Sequence, residues 1–270
     1  MNTFEIAEHI VQRVEAECVA AKQEWMNPLS TRTRSFKIDN LLPENVAREV
    51  YDLFPKDSRL WFERRSFREQ KKTFAKLQHL DALIENVTDA FHHESVVAAI
   101  GKITGFPDLE PDPELYAGGI SMMQQGDFLN PHIDNSHDKL RNRYRRLNLL
   151  YYVTPDWDQH NGGNLELWDD AVHKPFQIDA LFNRLVVMET NRTSWHSVNP
   201  VLVPASRCCV SNYYFSAASP SCTQYYHVTS FLGRPTQPLR RVIGRVDNKF
   251  RQFIAQRLKI SRGGDLGRTK

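Results

Sequence analysis

Three residues of this chain have the types and spacing to hold one metal ion. Pro131-His132-Ile133-Asp134 sets a histidine and a carboxylate two residues apart. In an extended segment such residues point to the same face, so His132 and Asp134 can bind one ion from a single strand end. His196, in Ser194-Trp195-His196-Ser197, lies 62 residues after Asp134 and is the third donor. Two histidines and a carboxylate on one face of a metal leave positions open for a cosubstrate and O2, the donor set of non-haem Fe(II). The three-residue pattern alone is weak, and a distal histidine strengthens it only modestly.

Arg207 adds a second kind of chemistry. It follows His196 by eleven positions, near the start of another extended run. An iron centre that uses 2-oxoglutarate needs a cation to hold the far carboxylate of that cosubstrate. Arginine suits the task because its fork binds a carboxylate through two hydrogen bonds. Tyr152 is placed to donate its hydroxyl to the same carboxylate.

These residues need a scaffold, and the composition permits one. At 270 residues the chain holds one large domain or two small ones. Hydrophobic residues at 41% and aromatics at 11% supply a sizeable core. No stretch approaches 18 consecutive apolar residues, so no transmembrane helix is expected. Residues 1–25 interleave glutamates with apolar positions, which predicts an amphipathic helix rather than a signal peptide. Four cysteines without a CxxC pair make neither a disulfide framework nor a zinc site, and a reducing, cytoplasmic compartment is the expectation.

The chain divides into three parts. Residues 1–114 read mainly as helix, with Phe4, Ala7, Ile10, Val11, Val14 and Cys18 at helical spacing. Further helices are predicted over Glu44–Phe54, Asp81–His92 and Glu94–Ile103. Residues 115–232 change to short runs of β-formers separated by Pro, Gly and Asn. Strands are expected near Gly119–Gln124, Arg146–Val153, Asn164–Trp168, Arg184–Glu189, Trp195–Val198, Arg207–Phe215 and Tyr225–Phe231. Many short strands at this spacing predict a β-sandwich or jelly roll, with helices over one outer face, an α+β fold. Residues 233–270 return to helix over 238–258, where Leu239, Val242, Ile243, Val246, Phe250, Phe253, Ile254 and Leu258 form one apolar stripe.

From about 115 to 216 the chain resembles the 2-oxoglutarate/Fe(II) oxygenases of the prolyl 4-hydroxylase superfamily. The resemblance rests on ordered motifs. They are Gln125-Gly126-Asp127-Phe128-Leu129-Asn130-Pro131-His132-Ile133-Asp134, the run Leu147 to Trp157, the run Gly162 to Trp168, and the interval from His196 to Arg207. It implies a double-stranded β-helix (jelly roll) with flanking N-terminal helices and a basic amphipathic C-terminal helix. It implies His132, Asp134 and His196 as iron ligands, Arg207 as the residue pairing with the 2-oxoglutarate C5 carboxylate, and Tyr152 as its helper. The implied cofactors are Fe(II), 2-oxoglutarate and O2, with ascorbate as an accessory reductant. The implied reaction hydroxylates an unactivated C–H bond and releases succinate and CO2. A carboxylate at Asp134 argues against halogenation, since related halogenases carry a small residue there. Two positions depart from the pattern: Met123 stands near the place of a tyrosine, and Cys209 where some branches have serine.

The substrate is less legible. Small-molecule, glycan and peptidyl (prolyl-type) substrates are all compatible with the family. Residues 135–146 carry Lys139, Arg141, Arg143, Arg145 and Arg146, and this segment reads either as a lid for an anionic substrate or as a solvated loop. The same pair of readings applies to 61–72. These basic segments give a slight preference for a sugar or other small metabolite over a protein. The alternative to an enzyme is a non-catalytic jelly-roll module that binds metal or ligand. A nucleic-acid demethylase is disfavoured, and no nucleic-acid partner is expected, because charge is unevenly spread. Residues 234–270 sum to +9 while the remainder sums to −6. The basic stripe of the tail is expected to dock on its own domain, with peripheral membrane contact as the alternative.

Overall fold

The computed structural model describes residues 1–28, 31–56, 60–74, 80–116, 118–221, 223–244 and 246–248. The N-terminal helix α1 (Thr3–Ala16) is started by a reciprocal cap: Asn2 accepts from the Glu5 amide, and the Glu5 carboxylate accepts from the Asn2 amide. Its buried stripe is Ile6, Ala7, Ile10 and Val14. Phe4 lies outside that stripe, exposed and edge-on to His93. Helix α2 (Cys18–Met26) buries Trp25 between Phe36 and Phe106, and its indole N–H donates to the Thr104 carbonyl. Helices α3 (Glu44–Asp52), α4 (Ala82–Ala90) and α5 (Glu94–Thr104) follow. Asp81 caps α4, and Gly105 ends α5 in the left-handed conformation that glycine adopts at no steric cost.

Among the described residues thirteen antiparallel strands form one curled sheet. Five make a larger wall: β1 (Ser35–Asp39), β10 (Arg184–Glu189), β7 (Tyr144–Tyr152), β12 (Arg207–Ser216) and β5 (Gly119–Met123), in that order. Four make the facing wall: β6 (Phe128–Ile133), β11 (His196–Val198), β8 (Leu165–Trp168) and β9 (Pro175–Ile178). Strand β3 (Glu69–Phe74) joins the two walls, pairing with β6 through Glu69 and Gln70 and with β5 through Lys72 to Phe74. Its hairpin partner is β2 (Phe62–Arg65). Two short strands, β4 (Glu110–Pro111) and β13 (Ser230–Phe231), extend β12 and β6. This is the α+β jelly roll that the sequence predicts. The helices cover one face of the larger wall.

Strand alternation decides what faces the interior. On β7, Leu147, Leu149 and Tyr151 join the helix-side core, whereas Tyr152 joins the inner one and Leu150 packs against it. On β12, Cys208, Val210 and Tyr214 face the helices, and Cys209 faces inward. The residues that could do chemistry occupy the second, inward set.

Four expectations change. Residues 61–72 form mostly the β2–β3 hairpin rather than a loop. Arg145 and Arg146 belong to β7 rather than to a lid. Of Tyr225–Phe231 only β13 is strand. Helix is present at 238–244 and 246–248, while the rest of the expected C-terminal helix and the tail from 249 lie outside the described residues. Leu239, Val242, Ile243 and Val246 are exposed rather than docked on the domain. Among the described residues no helix is long and apolar enough to cross a membrane.

Candidate metal centre

The three candidate ligands come from two neighbouring strands of the smaller wall. His132 lies near the end of β6 and Asp134 just beyond it. His196 opens β11 and stands directly opposite His132 in the ladder. Their ligand atoms all fall within 4.8 Å of one another. His132 Nε2 is 3.6 Å from Asp134 Oδ1, and His196 Nε2 is 3.6 Å from Asp134 Oδ2. Each histidine presents the same nitrogen for a reason. His132 Nδ1 bonds the Asn130 carbonyl at 3.0 Å and His196 Nδ1 the Ser194 carbonyl at 2.9 Å. Carbonyls only accept, so each Nδ1 carries the proton and each Nε2 keeps a free lone pair toward Asp134. Phe231 stacks on His132 at 5.2 Å and restrains its ring.

The electrostatics fit a cation. Burial lowers the pKa of both imidazoles, so they stay neutral. Burial alone would raise the Asp134 carboxyl. The Arg145 guanidinium, with an Asn148 hydrogen bond, outweighs it and holds the group below the usual carboxylate range. Asn148 Nδ2 donates to Asp134 Oδ2 at 2.8 Å and Arg145 Nη1 at 3.3 Å. Arg145 Nη2 donates to Asn135 Oδ1 at 3.1 Å, and its guanidinium covers the Tyr213 ring at 4.2 Å.

A chamber opens from this centre. Arg207, Tyr152, Met123 and Cys209 are also in its lining, with Arg207 beside Tyr152 and Met123. Arg207 is the first residue of β12, buried, with its guanidinium 5.2 Å from the Tyr152 ring. Its Nη2 donates to the Met123 sulfur at 2.9 Å, a weak acceptor. Arg207 Nε and the Tyr152 hydroxyl are buried without a hydrogen-bond partner among the described residues. Buried donors left unpaired cost free energy, and an anion placed between them would accept from both. The residues present, a His-Asp-His cluster and these donors in one lining, therefore fit a dicarboxylate bound to a metal.

Gly163 makes room for Arg207. It has φ +68°, and a Cβ there would lie 2.8 Å from Arg207 Cδ. Gly163→Ala should push the guanidinium off its position and raise the KM for 2-oxoglutarate about tenfold or more. Fe(II) affinity should stay unchanged, which anaerobic titration would check.

Two chamber residues, Asn148 and Lys71, have no role assigned from the sequence, and Arg145, placed there in a basic loop, instead reaches Asp134 from outside the chamber lining. Asn148 shares the inward face of β7 with Tyr152, four residues on, and alternation could have found it. Lys71 enters from β3, whose crossing between the walls has no local signal. Arg145 is hidden by a register shift. Tyr214 pairs with Leu147 and Phe215 with Arg145, so β7 carries one extra residue there and the alternation changes phase. Arg145 thereby turns toward Asp134, and Arg146 turns out over the Phe106 ring at 3.8 Å.

The basic segment beside the centre is largely engaged within the chain. Arg143 pairs with Glu110, Lys139 lies 3.9 Å from Glu114, and Arg141 covers the Tyr226 ring at 4.1 Å. His227 packs near Ser136, and burial pushes its imidazole down to about 4. Its ordinary value is about 6.5, so the unfolded chain binds the proton that the folded chain refuses between those values. This contribution to stability is complete above pH 6.5 and is lost as pH falls toward 4. The urea midpoint should drop between pH 7 and pH 5, and less steeply in His227→Gln.

The fold and the site define a class: a jelly roll whose inner wall carries a His-x-Asp…His cluster beside a buried arginine. Comparison with known proteins agrees. Residues 118–215 match the family model of the 2OG-Fe(II) oxygenase superfamily. The chain is 30% identical over 152 residues to prolyl 3-hydroxylase OGFOD1 of Mus musculus, a match covering 54% of this chain and 25% of that protein. It thus spans about a quarter of that relative's length. A prolyl hydroxylase from Trichoplax adhaerens, solved with a hypoxia inducible factor oxygen degradation domain peptide fragment, superposes with TM-score 0.55 at 18% identity, covering 79% of this chain and 96% of that one. A prolyl-4-hydroxylase from Pseudomonas putida gives TM-score 0.53 at 14% identity, covering 73% and 98%. Residues 118–215 thus resemble the oxygenase domain of a superfamily that takes Fe(II), 2-oxoglutarate and O2.

Proposed function

We propose that this protein is an Fe(II)- and 2-oxoglutarate-dependent hydroxylase that acts on a prolyl residue of a peptide chain. The observation that carries the oxygenase reading is the joint placement, in one chamber, of the His132–Asp134–His196 cluster and the unpaired Arg207 and Tyr152 donors. In this reading His132, Asp134 and His196 hold the iron. Arg207 and Tyr152 bind the C5 carboxylate of 2-oxoglutarate and so fix its orientation. When bound, the iron with 2-oxoglutarate and O2 supplies the oxidative chemistry, yielding succinate, CO2 and a hydroxylated carbon. The chain's own residues do the rest. Arg145 and Asn148 keep the Asp134 carboxylate ionised and aimed. Leu129, Leu150, Leu165 and Val198 line the chamber and exclude water.

A prolyl substrate is favoured by the mouse relative, named a prolyl 3-hydroxylase. The test is succinate release from 2-oxoglutarate in air with Fe(II) and ascorbate, with and without a panel of prolyl peptides. Turnover above that of His132→Ala, raised by at least one peptide together with a mass gain of one oxygen, is the expected result. Stimulation by sugars alone would replace the prolyl reading. Tight Fe(II) and 2-oxoglutarate binding without turnover on any of them would favour the binding-module alternative.

A further inference from the structure

The segment after the jelly roll carries charge and apolar pattern that the oxygenase site does not use. Pro238 opens a helical segment whose described residues run over 238–244 and 246–248. Leu239, Val242, Ile243 and Val246 recur at i, i+3, i+4 and i+7 and share one face. On a soluble domain such a face normally packs inward. Here the arrangement is inverted: these four side chains are 52 to 78% exposed.

The polar face holds the helix to the body instead. Arg241 Nη1 donates to the Val172 carbonyl at 2.9 Å and Nη2 to the Ala171 carbonyl at 3.0 Å. Asp247 pairs with Arg68 at 2.6 Å. Asn248 exchanges two hydrogen bonds with the Phe231 backbone, at 2.8 and 2.9 Å. Gly244 lies so close to the Phe231 carbonyl that a Cβ would come within 2.8 Å of it. Rolling the helix to bury the stripe would break these contacts together.

Charge selects the occupant. Residues 234–270 contain eleven Lys/Arg and two acids. A second copy bound through this face would bring two strongly positive segments together, and four aliphatic side chains fall short of the roughly 800 Å² per partner of a stable interface. A nucleic acid would call for stacking aromatics among the exposed side chains, and the outward face is aliphatic. An apolar stripe facing out within a basic segment matches a surface with anionic headgroups above an acyl interior.

We propose that the C-terminal helical segment is a docking face for an anionic lipid surface, with Leu239, Val242, Ile243 and Val246 inserting below the headgroups. The test uses the full chain and sedimentation with two kinds of vesicle, phosphatidylcholine alone and phosphatidylcholine with phosphatidylserine. Binding should require phosphatidylserine and weaken at high salt, since screening shortens the reach of the charges. It should fall about tenfold or more in Val242→Glu/Ile243→Glu and in Leu239→Ser/Val246→Ser, all at exposed positions. Circular dichroism and Fe(II) binding of the variants should match wild type. No binding to the anionic vesicles would overturn the proposal, as would equal binding by wild type and both variants. A concentration-dependent dimer that both variants abolish would assign the stripe to a second copy and overturn it likewise.

Discussion

Arg207→Ala is expected to weaken 2-oxoglutarate binding by roughly thirtyfold to a few thousandfold while leaving Fe(II) binding intact. Truncating one partner of a buried, hydrogen-bonded charge pair costs about 2–5 kcal/mol, and about 1.4 kcal/mol is a factor of ten. Arg207 is buried in the chamber lining. Without it, the far carboxylate of 2-oxoglutarate would lose the forked cation beside the Tyr152 hydroxyl. Arg207→Lys should fall between wild type and alanine, because it keeps the charge and loses the fork. Anaerobic titration gives both affinities on the same sample. An unchanged 2-oxoglutarate affinity in the alanine variant would move the carboxylate site elsewhere, and Lys71 is the other cation lining the chamber.

Removal of Arg145 should have the largest effect on stability. Its side chain is 1% exposed and lies 3.3 Å from Asp134 Oδ2. Arg145→Met leaves a buried carboxylate with Asn148 as its remaining hydrogen-bond donor. Breaking a buried pair in this way costs about 3–5 kcal/mol. The iron should also bind about ten- to a hundredfold more weakly, since the ligand loses an orienting partner. Adding Asp134→Asn removes the stranded charge. The double variant should regain much of the stability in urea denaturation but no activity, which separates the structural part from the iron-holding part. Strict additivity of the two substitutions would show that the pair is not coupled.

The sequence made the site legible where spacing and alternation are local. His132 and Asp134 two apart, Tyr152 on an alternating strand, and Arg207 at a strand start all lie where pattern reasoning places them. The α+β jelly roll followed from short β-rich runs between breakers. Long-range features were not legible. The register shift that turns Arg145 inward inserts one residue opposite β12, and nothing in Tyr144-Arg145-Arg146-Leu147 signals it. Strand β3 crosses from β6 to β5 within six residues, so Glu69–Phe74 reads as a charged loop while it bridges two walls. The tail stripe is amphipathic, as read, but amphipathicity does not say which face meets the body. Arg241, Asp247 and Asn248 settle that through partners far away in sequence.

One chamber is proposed to bind Fe(II) through His132, Asp134 and His196 and 2-oxoglutarate through Arg207. Anaerobic addition of Fe(II) and then 2-oxoglutarate to the purified protein tests this most directly, because the chelated cosubstrate gives a metal-to-ligand charge-transfer absorption band. That band is expected in wild type, is expected to be absent in His132→Ala, and should appear only at far higher 2-oxoglutarate in Arg207→Ala. No band in wild type, or an equal band in His132→Ala, would contradict it.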